Sequence, residues 1–146
     1  MKYNRILLKL SGEALAGASG KGLDEAVKFM EAGGVAIIGG GTGNPFFTTD
    51  SAAALRACEI GADALFKGTK VDGVYDSDPM KNPNAQKYGW LSFDKALADN
   101  LKVMDATAFT LCRENNIPIV VFDMNSEGTL ERIVAGENLG TVVCNE

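Results

Sequence analysis

Apolar residues fall along this chain in short compact runs that alternate with stretches spaced at three and four. The compact runs, Arg5–Leu10, Val35–Ile38, Ala62–Phe66, Ile117–Phe122 and Gly140–Val143, carry the signature of strands. The spaced stretches predict helices over 25–32 (Ala26, Phe29 and Met30, closed by Gly33-Gly34), 50–60 (Ala54, Leu55, Cys58), 93–98, 104–115 (Ala108, Leu111, Cys112) and 127–135. Ser92 is placed to cap the third of these and Asp105 the fourth, while Asp50 or Thr49 can cap the second. Asp72-Gly73 between Val71 and Val74 predicts a two-residue hairpin, and 76–83, with Pro79 and Pro83, a polar loop; 84–91 reads as a further loop that leaves Trp90 at the core or its rim. Strands alternating with helices imply an α/β fold with a mostly parallel sheet covered on both faces.

One stretch stands out from this rhythm. Val35–Asp50 reads VAIIGGGTGNPFFTTD: an apolar run, three glycines, a polar turn, two phenylalanines, then two threonines and an aspartate opening a helix. Glycines let backbone N–H groups approach a ligand, the threonines offer hydroxyls, and the helix start favours an anion, so a phosphate-bearing ligand suits it. The dinucleotide fingerprint fits poorly: its third glycine position is Asn44, followed by Pro45, and Asp63 precedes an apolar run instead of following one. A Walker-type phosphate loop is absent, since no Gly-x4-Gly-Lys-Ser/Thr string occurs.

Composition narrows the chemistry. With 146 residues, 46% hydrophobic and 23% charged, the chain suits one globular domain. A net charge of −5 argues against a broad nucleic-acid footprint. Zero histidines exclude histidine triads, and three widely spaced cysteines without a Cys-x2-Cys pair speak against structural zinc and for buried thiols in a cytoplasmic setting. The N-terminal apolar run is broken by Lys9 and followed by no cleavage site, so it reads as no signal peptide, and nothing reaches the roughly eighteen apolar residues of a membrane span. Lys9 itself is expensive inside a buried strand unless it meets an anion at the strand's end; on an edge it would point to water.

The wording of three segments is more specific than their composition. KLSGEAL at 9–15, GTGNPFFTTD at 41–50 and KGTKVDGVYDSDP at 67–79 resemble, in this order, segments of bacterial uridylate (UMP) kinases of the amino acid kinase family. The resemblance implies a three-layer α/β/α sandwich, shortened in the N-terminal lobe, and ATP-dependent phosphorylation of UMP with Mg²⁺. It assigns Lys9 and Asp50 catalytic roles, and ATP contacts to Lys9, Leu10, Ser11, Gly12, Thr69, Tyr75 and Asp78. UMP falls to Thr42, Gly43, Asn44, Pro45, Phe46, Phe47, Thr48 and Thr49. Without the resemblance, Asp50 is an ordinary helix cap, 71–79 a surface hairpin and Lys102, in the family-like LKVMD, a solvated lysine. The likeness runs as two blocks of one domain, 1–24 and 25–146, joined where family members carry a large further block with a Gly-Gly-Gly-Asn turn, a ribose-binding Asp and assembly helices. Gly39-Gly40-Gly41 leads straight into Thr42 and so does not replace that turn. The expectation is therefore a UMP kinase without nucleic-acid or membrane partners, with homo-oligomer formation left open; the alternative from another class is a non-catalytic nucleotide-binding remnant, and a kinase of carboxylate or carbamate within the same superfamily is a third.

Overall fold

The computed structural model describes residues 6–9 and 23–146. Its elements in chain order are β1 (Ile6–Lys9), α1 (Leu23–Glu31), α2 (Thr49–Glu59), β2 (Ala64–Thr69), β3 (Trp90–Ser92), α3 (Phe93–Ala98), α4 (Ala106–Glu114), β4 (Ile119–Asp123), α5 (Thr129–Val134) and β5 (Thr141–Cys144). The strands form one sheet in the order β1-β2-β4-β5-β3, parallel throughout except for the antiparallel pairing of β4 with β5. This is the mostly parallel α/β sheet that the alternating pattern implies.

Side-chain alternation along the strands separates two cores. Leu7, Leu65, Ile119, Val121 and Val143 face one way, packed with Ala53, Ala54 and Ala57 of α2, Phe93 and Ala96 of α3, and Ala108, Phe109 and Cys112 of α4. Ile6, Leu8, Phe66, Val120 and Phe122 face the other way, against Leu130, Ile133 and Val134 of α5. Small alanines on α2 let it lie close over the sheet and against α4. Burial pushes the Cys112 thiol up to about 12, a buried and inert position as its apolar setting predicts.

Two expectations fail, each for a physical reason. Val35–Ile38 forms no strand: Val35 is 83% and Ile37 66% exposed, and β1 ends the sheet, so among the described residues the run has neither a pairing strand nor a covering layer. Asp72-Gly73 makes no hairpin turn, because neither residue takes the positive φ that such a turn needs. Instead Val74 turns into the core, its N–H donating to Thr141 Oγ1 at 2.8 Å, and Tyr75 forms an antiparallel bridge with Lys87. The short strand β3 lies in what reads as loop, with Trp90 half exposed at the sheet's rim and its indole N–H donating to Cys144 Sγ.

The close approach of β5 to β4 is tight at Gly140, where a Cβ would stand 2.2 Å from the Val121 carbonyl oxygen. Gly140→Ala is expected to cost about 1–3 kcal/mol of stability, read as a lower denaturant midpoint at unchanged m-value; an unchanged midpoint would contradict this register.

Candidate functional site

The parallel register of β1 and β2 sets Lys9 directly beside Lys67 at the carboxyl ends of the two strands. Period-two alternation turns both side chains to the α2 face, where two ammonium groups side by side would repel. Asp50, in the first turn of α2, lies between them. Lys67 Nζ donates to Asp50 Oδ2 at 2.8 Å, and Lys9 Nζ lies 3.1 Å from Oδ1. The three side chains are only 15–16% exposed, so the pairing is shielded. Among the described residues Oδ1 has no hydrogen bond of good geometry, so its contact with the Lys9 ammonium is one of ion-pair distance and charge. Two cations and one anion give the cluster a net charge of +1 in a half-dry setting, at a helix N-terminus that itself favours negative charge. Such a place favours an anion.

The helix cap differs from expectation. Thr48, not Thr49 or Asp50, caps α2: in extended conformation (φ −86°, ψ 173°), its hydroxyl accepts from Asp50 N at 3.0 Å and Ser51 N at 3.3 Å. That frees the Asp50 carboxylate for the lysines. Thr48 in turn donates to Asp105 Oδ2, and Ser51 Oγ donates to both Asp105 oxygens at 3.0 and 3.2 Å. Asp105 caps α4 as its sequence position predicts, accepting from Ala108 N at 2.9 Å. Its burial raises the carboxyl pKa, but the hydrogen bonds from Thr48, Ala108 and Ser51 outweigh this and hold it below the usual carboxylate range.

The loop ahead of α2 is exposed. Gly40, Gly41 and Gly43 take positive φ, as does Phe46 (φ 70°), whose aromatic side chain is fully in solvent. A non-glycine residue in that region carries local backbone strain. Thr42 Oγ1 accepts from Asn44 N at 3.1 Å, and Asn44 Nδ2 donates to the Thr42 carbonyl at 3.2 Å, so this turn is internally braced; Pro45 and Phe47 follow in the same exposed loop, and Thr49 opens α2.

The remaining predicted residues lie farther along. Thr69 ends β2, two residues beyond Lys67, where its hydroxyl braces Val71. Tyr75 donates its phenol proton to Asp72 Oδ1 at 2.7 Å, and Lys87 Nζ stands 2.9 Å from Asp72 Oδ2. Asp78 Oδ1 accepts from Met80 N at 3.0 Å. Leu10, Ser11 and Gly12 lie outside the described residues. Lys102 is exposed. Lys67 joins this cluster without having been singled out in the sequence; its signal is a second lysine at the end of an apolar strand, the pattern that singles out Lys9.

Comparison with known proteins agrees with this architecture. The profile of the Amino acid kinase family matches residues 21–123. The chain belongs to that family. It is 60% identical over 121 residues to a uridylate kinase of Zymomonas mobilis, a match covering 83% of this chain and 50% of the relative. Its fold matches a crystal structure of a UMP kinase from Bacillus anthracis with a TM-score of 0.85 and 35% identity, over 97% of this chain and 58% of that one. A UMP kinase from Ureaplasma parvum matches at 0.80 and 42%, over 97% and 60%. The chain thus spans about half the length of the curated relatives it matches. Among the described residues no helix is long and apolar enough to cross a membrane.

The Tyr75–Asp72 contact has a pH window of its own. The hydrogen bond from Tyr75, helped by Lys87 and opposed by burial, holds Asp72 below the usual carboxylate range, and the same bond raises the Tyr75 phenol. The contact is therefore intact at neutral pH, is lost in acid as Asp72 protonates at its lowered pKa, and is lost in base only above the ordinary tyrosine value of about 10. Asp72→Asn is expected to bring one tyrosine's ultraviolet titration down toward that value; coincident titrations of both proteins would contradict the contact.

Proposed function

We propose that the chain binds ATP and UMP and transfers the terminal phosphoryl group of ATP to the UMP phosphate, forming UDP. The observation that carries this reading is the Lys9–Asp50–Lys67 cluster at the opening of α2, immediately behind the GTGNPFFTT loop. The names of the relatives, uridylate and UMP kinases, supply the acceptor.

In this reading Thr42 to Thr49 surround the UMP phosphate, and Lys9 and Lys67 face the phosphoryl group in flight. Thr69, Tyr75 and Asp78, with Leu10 to Gly12, hold ATP. The UMP phosphate oxygen is already ionised at neutral pH, so the chain needs no general base; positioning and charge compensation carry the catalysis. Asp50 keeps both ammoniums aimed at one point and prevents their mutual repulsion from splaying them. Magnesium finds no cage here: among the described residues no cluster of three potential ligands occurs, and both Asp50 oxygens face lysines. Mg²⁺ would come with ATP and would help offset the charge of its phosphates, alongside Lys9 and Lys67. The fitting compartment is the cytoplasm, and the exposed Phe29, Val35, Ile37 and Phe46 support self-association.

A second reading has its own support. The chain has about half its relatives' length and an uncovered Val35–Ile38 run, which favour a nucleotide-binding remnant that has lost the acceptor side.

Measuring UDP formation from UMP and MgATP separates the two. Turnover by the purified chain is expected, and Lys9→Met and Lys67→Met are each expected to lose more than tenfold in rate, about 1.4 kcal/mol of barrier. A lysine variant that keeps more than a tenth of the rate contradicts that lysine's role. ATP binding without UMP binding or turnover establishes the remnant.

A further inference from the structure

Asp105 connects elements that the site requires in a fixed relation. The segment before it supplies the Val103 carbonyl, which accepts from Lys67 Nζ at 2.7 Å. The same ammonium donates to Asp50 on α2. Lys67 is thus aimed by two groups on different elements, the 101–105 segment and the start of α2, and its direction depends on the distance between them. Asp105 spans that distance, accepting from Thr48 and Ser51 on the α2 side while capping α4 through Ala108 N.

Only a carboxylate can do this. The Thr48 hydroxyl uses its lone-pair side for Asp50 N and Ser51 N, so its single proton must go to an acceptor elsewhere. Ser51 Oγ, buried, also donates toward both Asp105 oxygens, and Ala108 N donates to Oδ1. Three donors converge on two oxygens, all of them acceptors. An asparagine has one acceptor oxygen and an NH₂ group: with the oxygen toward Thr48 the NH₂ faces the Ala108 N–H, and with the NH₂ toward Thr48 it faces the hydroxyl proton, so either way a donor meets a donor.

Resting on the phosphotransfer reading above, we infer that Asp105 is a positioning residue for the acceptor side of the site: it docks the N-terminus of α2, with Thr48 to Asp50, against the segment whose Val103 carbonyl aims Lys67. The Thr48 hydroxyl proton is committed to this dock and is withheld from the ligand, so Thr48 serves the acceptor phosphate through its place in the backbone.

The test compares the full chain with Asp105→Asn, measuring dissociation constants for UMP and for MgATP, melting temperature, and hydrogen exchange of the Asp50 and Ser51 amides. The expected result is UMP affinity weakened at least tenfold with MgATP affinity within threefold, and exchange at those two amides accelerated at least tenfold while the rest of α2 stays protected. UMP affinity within twofold of the unaltered chain overturns the proposal, and so does a parallel loss of UMP and MgATP affinity, which a merely structural residue would produce. If the unaltered chain binds no UMP, the phosphotransfer reading fails by itself; the dock is then decided by the amides, where unchanged exchange in Asp105→Asn overturns it. Should Asp105→Asn fail to fold, Ser51→Ala removes one arm of the dock, with a two- to fivefold loss of UMP affinity expected and no loss overturning the proposal. In the double variant the two losses are expected to be less than additive, and full additivity contradicts a shared network.

Discussion

Two lysines at the ends of neighbouring parallel strands cannot share a half-buried corner unless an anion separates them, and that constraint shapes the centre of this molecule. Asp50 meets it, with one oxygen toward Lys9 and the other toward Lys67. For the carboxylate to be free, another residue must cap α2, and Thr48 does. For Thr48 to cap with both lone pairs, its proton needs an acceptor, which Asp105 provides from the start of α4. Each requirement follows from the one before, so a charge problem in the sheet is solved by a network joining two helix termini. Removing one partner of so shielded a cluster leaves a charge uncompensated, which costs far more than an exposed pair contributes. The same network leaves a net positive charge at the mouth of the sheet, at the carboxyl ends of β1 and β2 where ligands of open α/β sheets bind.

Much of this was readable from residues alone because it is local. Ser92 and Asp105 cap the helices their positions suggest, and β2, β4 and β5 fall within three residues of their apolar runs. What escaped was long-range. Val35–Ile38 has the composition of a buried strand, but composition records a preference for burial and cannot supply the neighbour that buries it. Asp72-Gly73 has the strongest short hairpin signal in the chain, yet Val74 enters the core and bonds Thr141, a partner 67 positions away that no local signal reveals. Lys67 was hidden by a register: nothing in the string FKGTK says that it will stand beside Lys9, 58 positions earlier in the sequence, until β1 and β2 pair.

The exposed Val35–Ile38 run and the loop that follows stand apart from the charged cluster. The Lys–Asp–Lys cluster, its capping network and both cores are built from β1 and residues 48–144, so the charged half of the site does not depend on the uncovered run. Among the described residues the loop 39–47 is held by its own bonds, with Phe46 strained and exposed.

The most direct measurement is a crystal structure of the chain with a non-hydrolysable ATP analogue and UMP. The account predicts phosphate oxygens within about 3 Å of both the Lys9 and Lys67 ammonium groups, with Asp50 still between them. Phosphates bound elsewhere, with the two lysines contacting only Asp50, would contradict it.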